Sequence, residues 1–167
     1  FDNNLPCIAE KEVVVVDTVA DELIYHMEQN GCYHASPEEV QKLVDTVLDD
    51  KNGKKVISRK CVGRSAKVLL GKIGVTVGDE VRCIIFEGPK EHPLITTELM
   101  MPILGIVRAR DFDDAVEQAV WLEHGNRHSA HIHSKNVDRI TTYAKAIDTA
   151  IVVKNGPSYA SLGFGSE

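Results

Sequence analysis

Near its start the chain reads Val13-Val14-Val15-Val16-Asp17-Thr18-Val19-Ala20-Asp21-Glu22-Leu23-Ile24. Four β-branched residues in a row predict a buried strand, because they favour extended backbone and the run is too short for a helix. A helix should follow, since Asp17 or Thr18 can cap it and Gly31 can end it. Its apolar positions recur at helical spacing: Val19, Leu23, Ile24 and Met27. A strand that runs directly into a helix is the building unit of an α/β fold.

The same alternation continues along the chain. Ser36-Pro37-Glu38-Glu39 supplies an N-cap, a proline at the first helical position and a glutamate at the third, so a helix should begin at Pro37. Further helices are predicted over residues 65–73, after Asp111, and over 137–147 with Asn136 as cap. Strands are predicted over residues 81–86, 103–108, 129–133 and 150–153, the last of them buried, with an exposed turn over 49–55 and a turn-rich segment after 157 through 165. This order predicts an α/β fold with a largely parallel central sheet flanked by helices.

Length and charge narrow the class of protein. The 167 residues, 43% of them hydrophobic, suffice for one core, so we expect a single domain over residues 1–167. The net charge of -6 and the 5% aromatic content argue against nucleic-acid binding. Since no apolar stretch approaches the roughly 18 residues of a membrane span and no signal sequence is recognisable, we expect a cytoplasmic protein with no membrane partner.

The cysteines offer one candidate nucleophile. Cys7, Cys32, Cys61 and Cys83 show no Cys-x-x-Cys spacing, and we expect four separate thiols in a reducing compartment. Cys7 differs from the others because it follows the polar, turn-forming run Phe1-Asp2-Asn3-Asn4-Leu5-Pro6. Pro6 suits the start of a helix, whose positive end would favour the thiolate, the nucleophilic form of cysteine. The alternative is a packed, inert cysteine.

Four histidines invite a metal hypothesis, since His124, His128, His131 and His133 lie within ten residues. No carboxylate or cysteine spacing completes a known site, and we therefore predict surface and turn histidines with no metal. The chain also contains neither Gly-x-Gly-x-x-Gly nor Gly-x-x-x-x-Gly-Lys-Ser/Thr, the fingerprints of phosphate-binding loops.

Three segments, read together, resemble the aldehyde dehydrogenase superfamily. They are residues 1–7, residues 122–130, and Glu91-His92-Pro93-Leu94-Ile95-Thr96-Thr97-Glu98-Leu99-Met100-Met101-Pro102. Within this superfamily, the sequence resembles the branch of coenzyme A-acylating acetaldehyde and propionaldehyde dehydrogenases. The segments that carry this resemblance are residues 2–7, Cys61-Val62-Gly63-Arg64 and residues 147–157. The resemblance covers almost the whole chain in order. It implies a three-layer catalytic domain with a largely parallel central sheet, and a NAD-binding domain that lies outside this chain.

The resemblance also implies a site. Cys7 would be the nucleophile that carries a thioester, and His128, in a Gly-x-x-His-Ser segment, would assist the thiol of coenzyme A. Glu98, Met100 and Pro102 would contact NAD in a segment where the family has Glu-x-aromatic-Gly-Pro. Here Met100 replaces the aromatic residue and Met101 replaces the glycine.

The expected whole enzyme is a NAD-dependent oxidoreductase that converts a short aldehyde and coenzyme A to acyl-CoA. The whole enzyme is expected to be a homo-oligomer, and whether it is encapsulated in a bacterial microcompartment is left open. This chain alone is expected to be inactive. Three alternatives remain: a hydrolytic NAD(P)-dependent aldehyde dehydrogenase, a non-catalytic assembly or binding domain of the same fold, and a metal-binding protein that uses the histidines.

Overall fold

The structure is a computed structural model that describes residues 2–163. Within them lie eight strands and six α-helices. In chain order these are β1 (Glu12–Val16), α1 (Asp17–Gln29), β2 (Cys32–His34), α2 (Pro37–Val47), β3 (Leu48–Lys51), β4 (Lys54–Ile57), α3 (Ala66–Lys72), β5 (Cys83–Glu87), α4 (Pro93–Thr96), β6 (Ile103–Ala109), α5 (Phe112–Glu123), β7 (Ser129–Ile132), α6 (Val137–Ile147) and β8 (Ile151–Lys154). Short 3-10 helices cover Asp2–Asn4 and Ser158–Leu162.

The centre of the fold is a parallel sheet of four strands in the order β1-β6-β5-β2. Helix α1 covers one face, where Val15, Ala20, Ile24, Ile85 and Ile106 form a small core. Helices α2, α3 and α4 cover the other face with a larger core that includes Leu43, Leu69, Phe86 and Ile95. A parallel sheet must be covered on both faces because its connections place helices there. The predicted three-layer α/β fold is confirmed.

A smaller layer lies beside this sheet. Strands β7 and β8 form a parallel pair, and α6 packs with them against α5 through Ala130, Tyr143 and Ile147. Three of the four clustered histidines lie at this layer: His128 directly before β7, His131 within it and His133 directly after it.

Most of the predicted helix starts are confirmed. Ser36 and Glu39 form a full capping box at the start of α2, and Asp111 and Asn136 cap α5 and α6 as expected. Helix α1 differs, because it begins at Asp17 with Val16 as its N-cap and no side-chain cap. Val19 is 50% exposed and does not belong to the buried face of α1.

Two predicted segments differ from the structure. Residues 49–55 are exposed as predicted, but the turn covers only their centre: β3 and β4 form an antiparallel hairpin, and Asn52 and Gly53 at its tip both have positive φ, as a tight hairpin turn requires. Strand β8 is not fully buried, since its residues alternate between half-buried and exposed. Residues 164–165 of the predicted turn-rich segment lie outside the described residues. No helix within residues 2–163 is long and apolar enough to cross a membrane.

Candidate active site

Two predicted site segments meet at one edge of the main sheet. The cysteine loop, residues 2–11, leads into β1, and the Glu98 loop, residues 97–102, leads into β6. Strands β1 and β6 are parallel neighbours, with Glu12 opposite Gly105. Because the amino ends of parallel neighbours lie at the same edge, the cysteine loop and the Glu98 loop are side by side.

Cys7 is exposed in a tight turn, and the predicted helix is absent. The Ala9 amide donates to the Pro6 carbonyl at 2.9 Å, but no helical ladder continues from it. Ile8 is only 2% exposed and anchors the turn in the protein interior. The expected help of a helix dipole for the Cys7 thiolate was therefore wrong. The turn itself presents the thiol to solvent, and within residues 2–163 the Cys7 amide donates no hydrogen bond.

A third segment, the turn at residues 61–64, ties the two loops together. The Asn3 side-chain amide donates to the Gly63 carbonyl at 3.0 Å. The Gly63 amide donates in turn to the Met100 carbonyl at 2.9 Å. Gly63 has a φ of +69°, and a Cβ there would lie 3.2 Å from Leu5, so this bridge requires glycine. Nothing in the local sequence indicates this role for Gly63.

A small cavity of about 20 Å³ lies between the cysteine loop and the Glu98 loop. Asn4, Lys11, Glu98 and Met100 are among its lining residues. The Lys11 ammonium lies 3.3 Å from Glu12 Oε2 and donates at 3.5 Å to the Leu122 carbonyl at the end of α5. Lys11 thus joins the candidate site to the smaller layer, a contact that the sequence did not indicate.

The three predicted cofactor residues have different surroundings. Glu98 is exposed, so its carboxylate is free to accept hydrogen bonds from a ligand, whereas Met100 is half-buried with a φ of +51°. Pro102 is buried, and its carbonyl accepts a 2.8 Å hydrogen bond from the Ile84 amide in β5. Pro102 therefore anchors the end of the loop to β5, whereas Glu98 and Met100 form the part of the loop that is accessible to a ligand.

His128 lies in the smaller layer, directly before β7. It is exposed, its Nδ1 lies 3.0 Å from the Ser129 hydroxyl, and its carbonyl accepts from the Ile151 amide at 3.1 Å. No hydrogen bond links His128 to the cysteine loop within the part of the chain that the structure describes. The sheet thus places the cysteine loop beside the Glu98 loop, while His128 belongs to the smaller layer.

The smaller layer does act electrostatically on the cysteine loop. Burial lowers the pKa of His131, and the negative charge of Glu10 partly opposes this shift. Burial also raises the pKa of Glu12, with the Lys11 ion pair opposing it. The pKa of Tyr143 is raised to about 12 by its own burial and by the charges of Glu12 and Glu123. The charge of Glu10 thus couples the cysteine loop to the pKa of His131 in β7.

The histidines do not assemble into a metal centre. No group of three or more histidine, cysteine, aspartate or glutamate side chains among residues 2–163 is placed to hold a metal ion. The four histidines are distributed over the end of α5, the entrance to β7, β7 itself and the residue that follows it.

A larger open groove of about 560 Å³ lies at the opposite, carboxyl edge of the main sheet. Arg108 lines it and forms ion pairs with Asp17, Asp21 and Glu87. These three carboxylates raise the pKa of the Arg108 guanidinium. Because these ion pairs satisfy its charge, Arg108 links β6 to the end of β5 and to α1, and it does not belong to the cysteine site.

The aldehyde dehydrogenase family model matches residues 6–165 of the chain. The chain belongs to the aldehyde dehydrogenase family. Acetaldehyde dehydrogenase (acetylating) EutE of Escherichia coli is 45% identical over 169 residues, which cover 100% of this chain and 36% of that protein. The chain therefore spans about a third of the length of this relative.

Two solved structures of aldehyde dehydrogenases are similar along the whole chain. A propionaldehyde dehydrogenase from the Clostridium phytofermentans fucose utilisation bacterial microcompartment is 67% identical with a TM-score of 0.95, covering 100% of this chain and 38% of that one. The Rhodopseudomonas palustris propionaldehyde dehydrogenase, with bound CoA and an acylated cysteine, is 49% identical with a TM-score of 0.95 and the same coverages, 100% and 38%. The resemblance to the coenzyme A-acylating branch is confirmed.

Proposed function

We propose that this chain is the cysteine-bearing part of a coenzyme A-acylating aldehyde dehydrogenase that acts on acetaldehyde or propionaldehyde. The observation that carries the proposal is the exposed Cys7 beside the Glu98 loop, in a chain 67% identical to a propionaldehyde dehydrogenase along its whole length. The similarity to an enzyme of a bacterial microcompartment supports such a compartment as the setting of the whole protein. That the protein is cytoplasmic and a homo-oligomer is part of the same proposal.

Cys7 starts the proposed reaction. Its thiolate adds to the aldehyde carbonyl, forming a carbon–sulfur bond and placing the electron pair of the C=O bond on oxygen. The oxyanion that develops needs hydrogen-bond donors, and the unengaged Cys7 amide is the donor that this turn supplies. Loss of hydride from the resulting thiohemiacetal restores the carbonyl and leaves a thioester on Cys7.

NAD supplies the acceptor for that hydride when it is bound. The exposed Glu98 carboxylate fits the hydroxyls of a nicotinamide ribose, because carboxylate oxygens accept hydrogen bonds and this one lies beside the cysteine loop. Met100 forms the half-buried wall next to it, and Pro102 holds the loop to β5 through its carbonyl. No phosphate-binding fingerprint occurs in the sequence, so we expect this chain alone to bind NAD weakly or not at all.

His128 is the proposed helper for acyl transfer. The thiol of coenzyme A must lose its proton as its sulfur attacks the thioester and displaces Cys7 as thiolate. Imidazole titrates near neutral pH, and the exposed His128 ring is accessible for this proton. The contact between His128 and Ser129 occupies Nδ1 and leaves Nε2 for the incoming thiol.

The experiment is to assay the full-length protein with propionaldehyde or acetaldehyde, coenzyme A, and NAD or NADP, and to identify the product by mass spectrometry. We expect acyl-CoA and a reduced nicotinamide in equal amounts, with Cys7→Ser lowering turnover by orders of magnitude. Free carboxylic acid as the main product would instead identify a hydrolytic enzyme. Absence of any aldehyde oxidation in a folded full-length protein would favour the non-catalytic alternative.

A further inference from the structure

Cys32 and Cys83 are far apart in sequence but face each other in the main sheet. Cys32 opens β2 and Cys83 opens β5, and the two are direct partners in the register of these parallel strands. Partners in register point to the same face, and here both pack against the small core under α1. All four cysteines are free thiols, as expected, but strand pairing places these two next to each other.

The spacing of the pair suits a disulfide. Neighbouring strands lie about 4.7–4.9 Å apart, within the range of roughly 4.4–6.8 Å between Cα atoms that a disulfide bridges. The other two thiols have no such partner among residues 2–163. Cys61 is 2% exposed in the core on the opposite face, with its thiol 3.6 Å from the Thr46 carbonyl, and Cys7 lies in its own loop.

The two thiols are not equivalent. Cys32 belongs to the edge strand of the sheet, whereas Cys83 belongs to the next strand inward. A hydrogen bond from Cys83 lowers the pKa of Cys32, with burial and the charge of Glu28 opposing this, and the pKa of Cys83 is raised by the same interaction and by burial. Because Cys32 lies on the edge strand, a small disulfide reaches it first, and Cys83 on the inner strand is the thiol that attacks second.

We propose that Cys32 and Cys83 form a reversible disulfide that links the edge strand β2 to β5 when the protein meets a low-molecular-weight disulfide. The Cys32 thiolate attacks one sulfur of the small disulfide, forms a mixed disulfide and releases one small thiolate. Cys83 then loses its proton and attacks Cys32 Sγ, which forms the protein disulfide and releases the second small thiolate. The two cysteines are oxidised by two electrons in total, and the small disulfide is reduced by two.

This site is independent of the proposed acyl transfer, because neither cysteine belongs to the cysteine loop or the Glu98 loop. A disulfide across two adjacent strands joins backbones that are already hydrogen-bonded, so it changes the sheet little. It closes a long loop of the chain and restrains the edge strand, and it should be broken again by an excess of small thiol.

The test uses full-length protein carrying Cys7→Ser, so that the candidate catalytic thiol cannot react. The folded protein is treated with oxidised glutathione, its free thiols are blocked with N-ethylmaleimide, and peptides are mapped by mass spectrometry without reduction. We expect a linked pair of peptides containing Cys32 and Cys83, a loss of two blocked thiols per chain, and recovery of both after dithiothreitol. Cys61→Ser is the matched control and should leave this result unchanged.

Two variants test the order of attack. With Cys83→Ser, Cys32 should accumulate as its mixed disulfide with glutathione, since no second thiol displaces it. With Cys32→Ser, Cys83 should stay reduced under the same treatment. Full blocking of both cysteines by N-ethylmaleimide after oxidation of the folded protein would overturn the proposal, as would a disulfide of either one with Cys61. The assignment of the first nucleophile would be overturned by the opposite pattern. In that pattern, glutathione is attached to Cys83 in the Cys32→Ser variant, and none is attached to Cys32 in the Cys83→Ser variant.

Discussion

Replacing Gly105 by alanine should destabilise the protein through one steric conflict. Gly105 is buried in β6, and a Cβ at this position would lie 2.3 Å from Ile95 Cγ1 and 3.1 Å from Phe86 Cζ. Ordinary carbon–carbon contacts lie at about 3.5–4.0 Å, so Ile95 must move. Ile95 and Phe86 are both 0% exposed, which leaves neither side chain open space to move into.

The expected cost follows from these contacts. Overpacking a filled core typically costs about 1–3 kcal/mol, and the depth of this overlap points to the upper half of that range. Replacing glycine in a strand recovers about 0.5–1 kcal/mol, because alanine loses less backbone entropy on folding. The net loss in the free energy of unfolding should therefore be about 1–2.5 kcal/mol.

The conflict should also reach the candidate site. Ile95 lies in α4, directly before the Glu98 loop, so displacing it shifts Glu98. A misplacement of about 1 Å in a catalytic site can cost about a hundredfold in rate. We expect aldehyde oxidation by Gly105→Ala to fall more than its folded fraction does.

Urea unfolding of the full-length protein measures the stability effect. Gly71→Ala is the matched control, because Gly71 lies in helix α3 with nothing within 4 Å of an added Cβ. It should be neutral or stabilising by up to about 1 kcal/mol. Ile95→Ala alone should cost about 2–5 kcal/mol, and the double variant with Gly105→Ala should cost at least about 1 kcal/mol less than the sum of the two. Unchanged stability in Gly105→Ala, or strict additivity, would refute the steric argument.

Four further outcomes are expected. Ser36→Ala should lower the free energy of unfolding by about 0.5–2 kcal/mol in urea, because it removes the acceptor for the Glu39 amide, and a neutral result would show that the remaining Glu39 contact to the Ser36 amide suffices. Glu98→Gln should slow hydride transfer about a hundredfold in stopped-flow traces of NADH formation while aldehyde addition to Cys7 persists, and an unchanged burst would remove Glu98 from the site. His128→Ala should slow coenzyme A-dependent turnover more than the first burst of NADH, so that acylated Cys7 accumulates in rapid-quench mass spectrometry; loss of the burst with normal acyl transfer would place His128 in the oxidation half. Glu12→Gln should gain stability relative to the native protein as pH rises from about 4.5, because burial raises the folded-state pKa of Glu12 and the unfolded chain releases this proton first; urea midpoints that differ by the same amount at acidic and neutral pH would contradict this sign.

The elements of the fold were predictable where their signals are local. The capping box at Ser36 and the valine run before Asp17 are signals within a few neighbouring residues, and they gave the expected helix and strand. The strand is less buried than predicted, because only Val15 of its four valines is buried. The hairpin at residues 48–57 was missed because its charged strands carry no hydrophobic alternation. The helix expected after Cys7 was wrong because Pro6 suits a turn as well as a helix, and the burial of Ile8 decides between them.

The sequence alone determined the α/β class, the family, and Cys7 and Glu98 as candidate site residues, because periodicity, caps and motif wording are properties of contiguous chain. Only the tertiary structure decided which of these segments meet. The pairing of β1 with β6 places the cysteine loop beside the Glu98 loop, and the pairing of β2 with β5 places Cys32 opposite Cys83. Strand order and register depend on closing long loops and on how the whole core packs, and no local pattern encodes either.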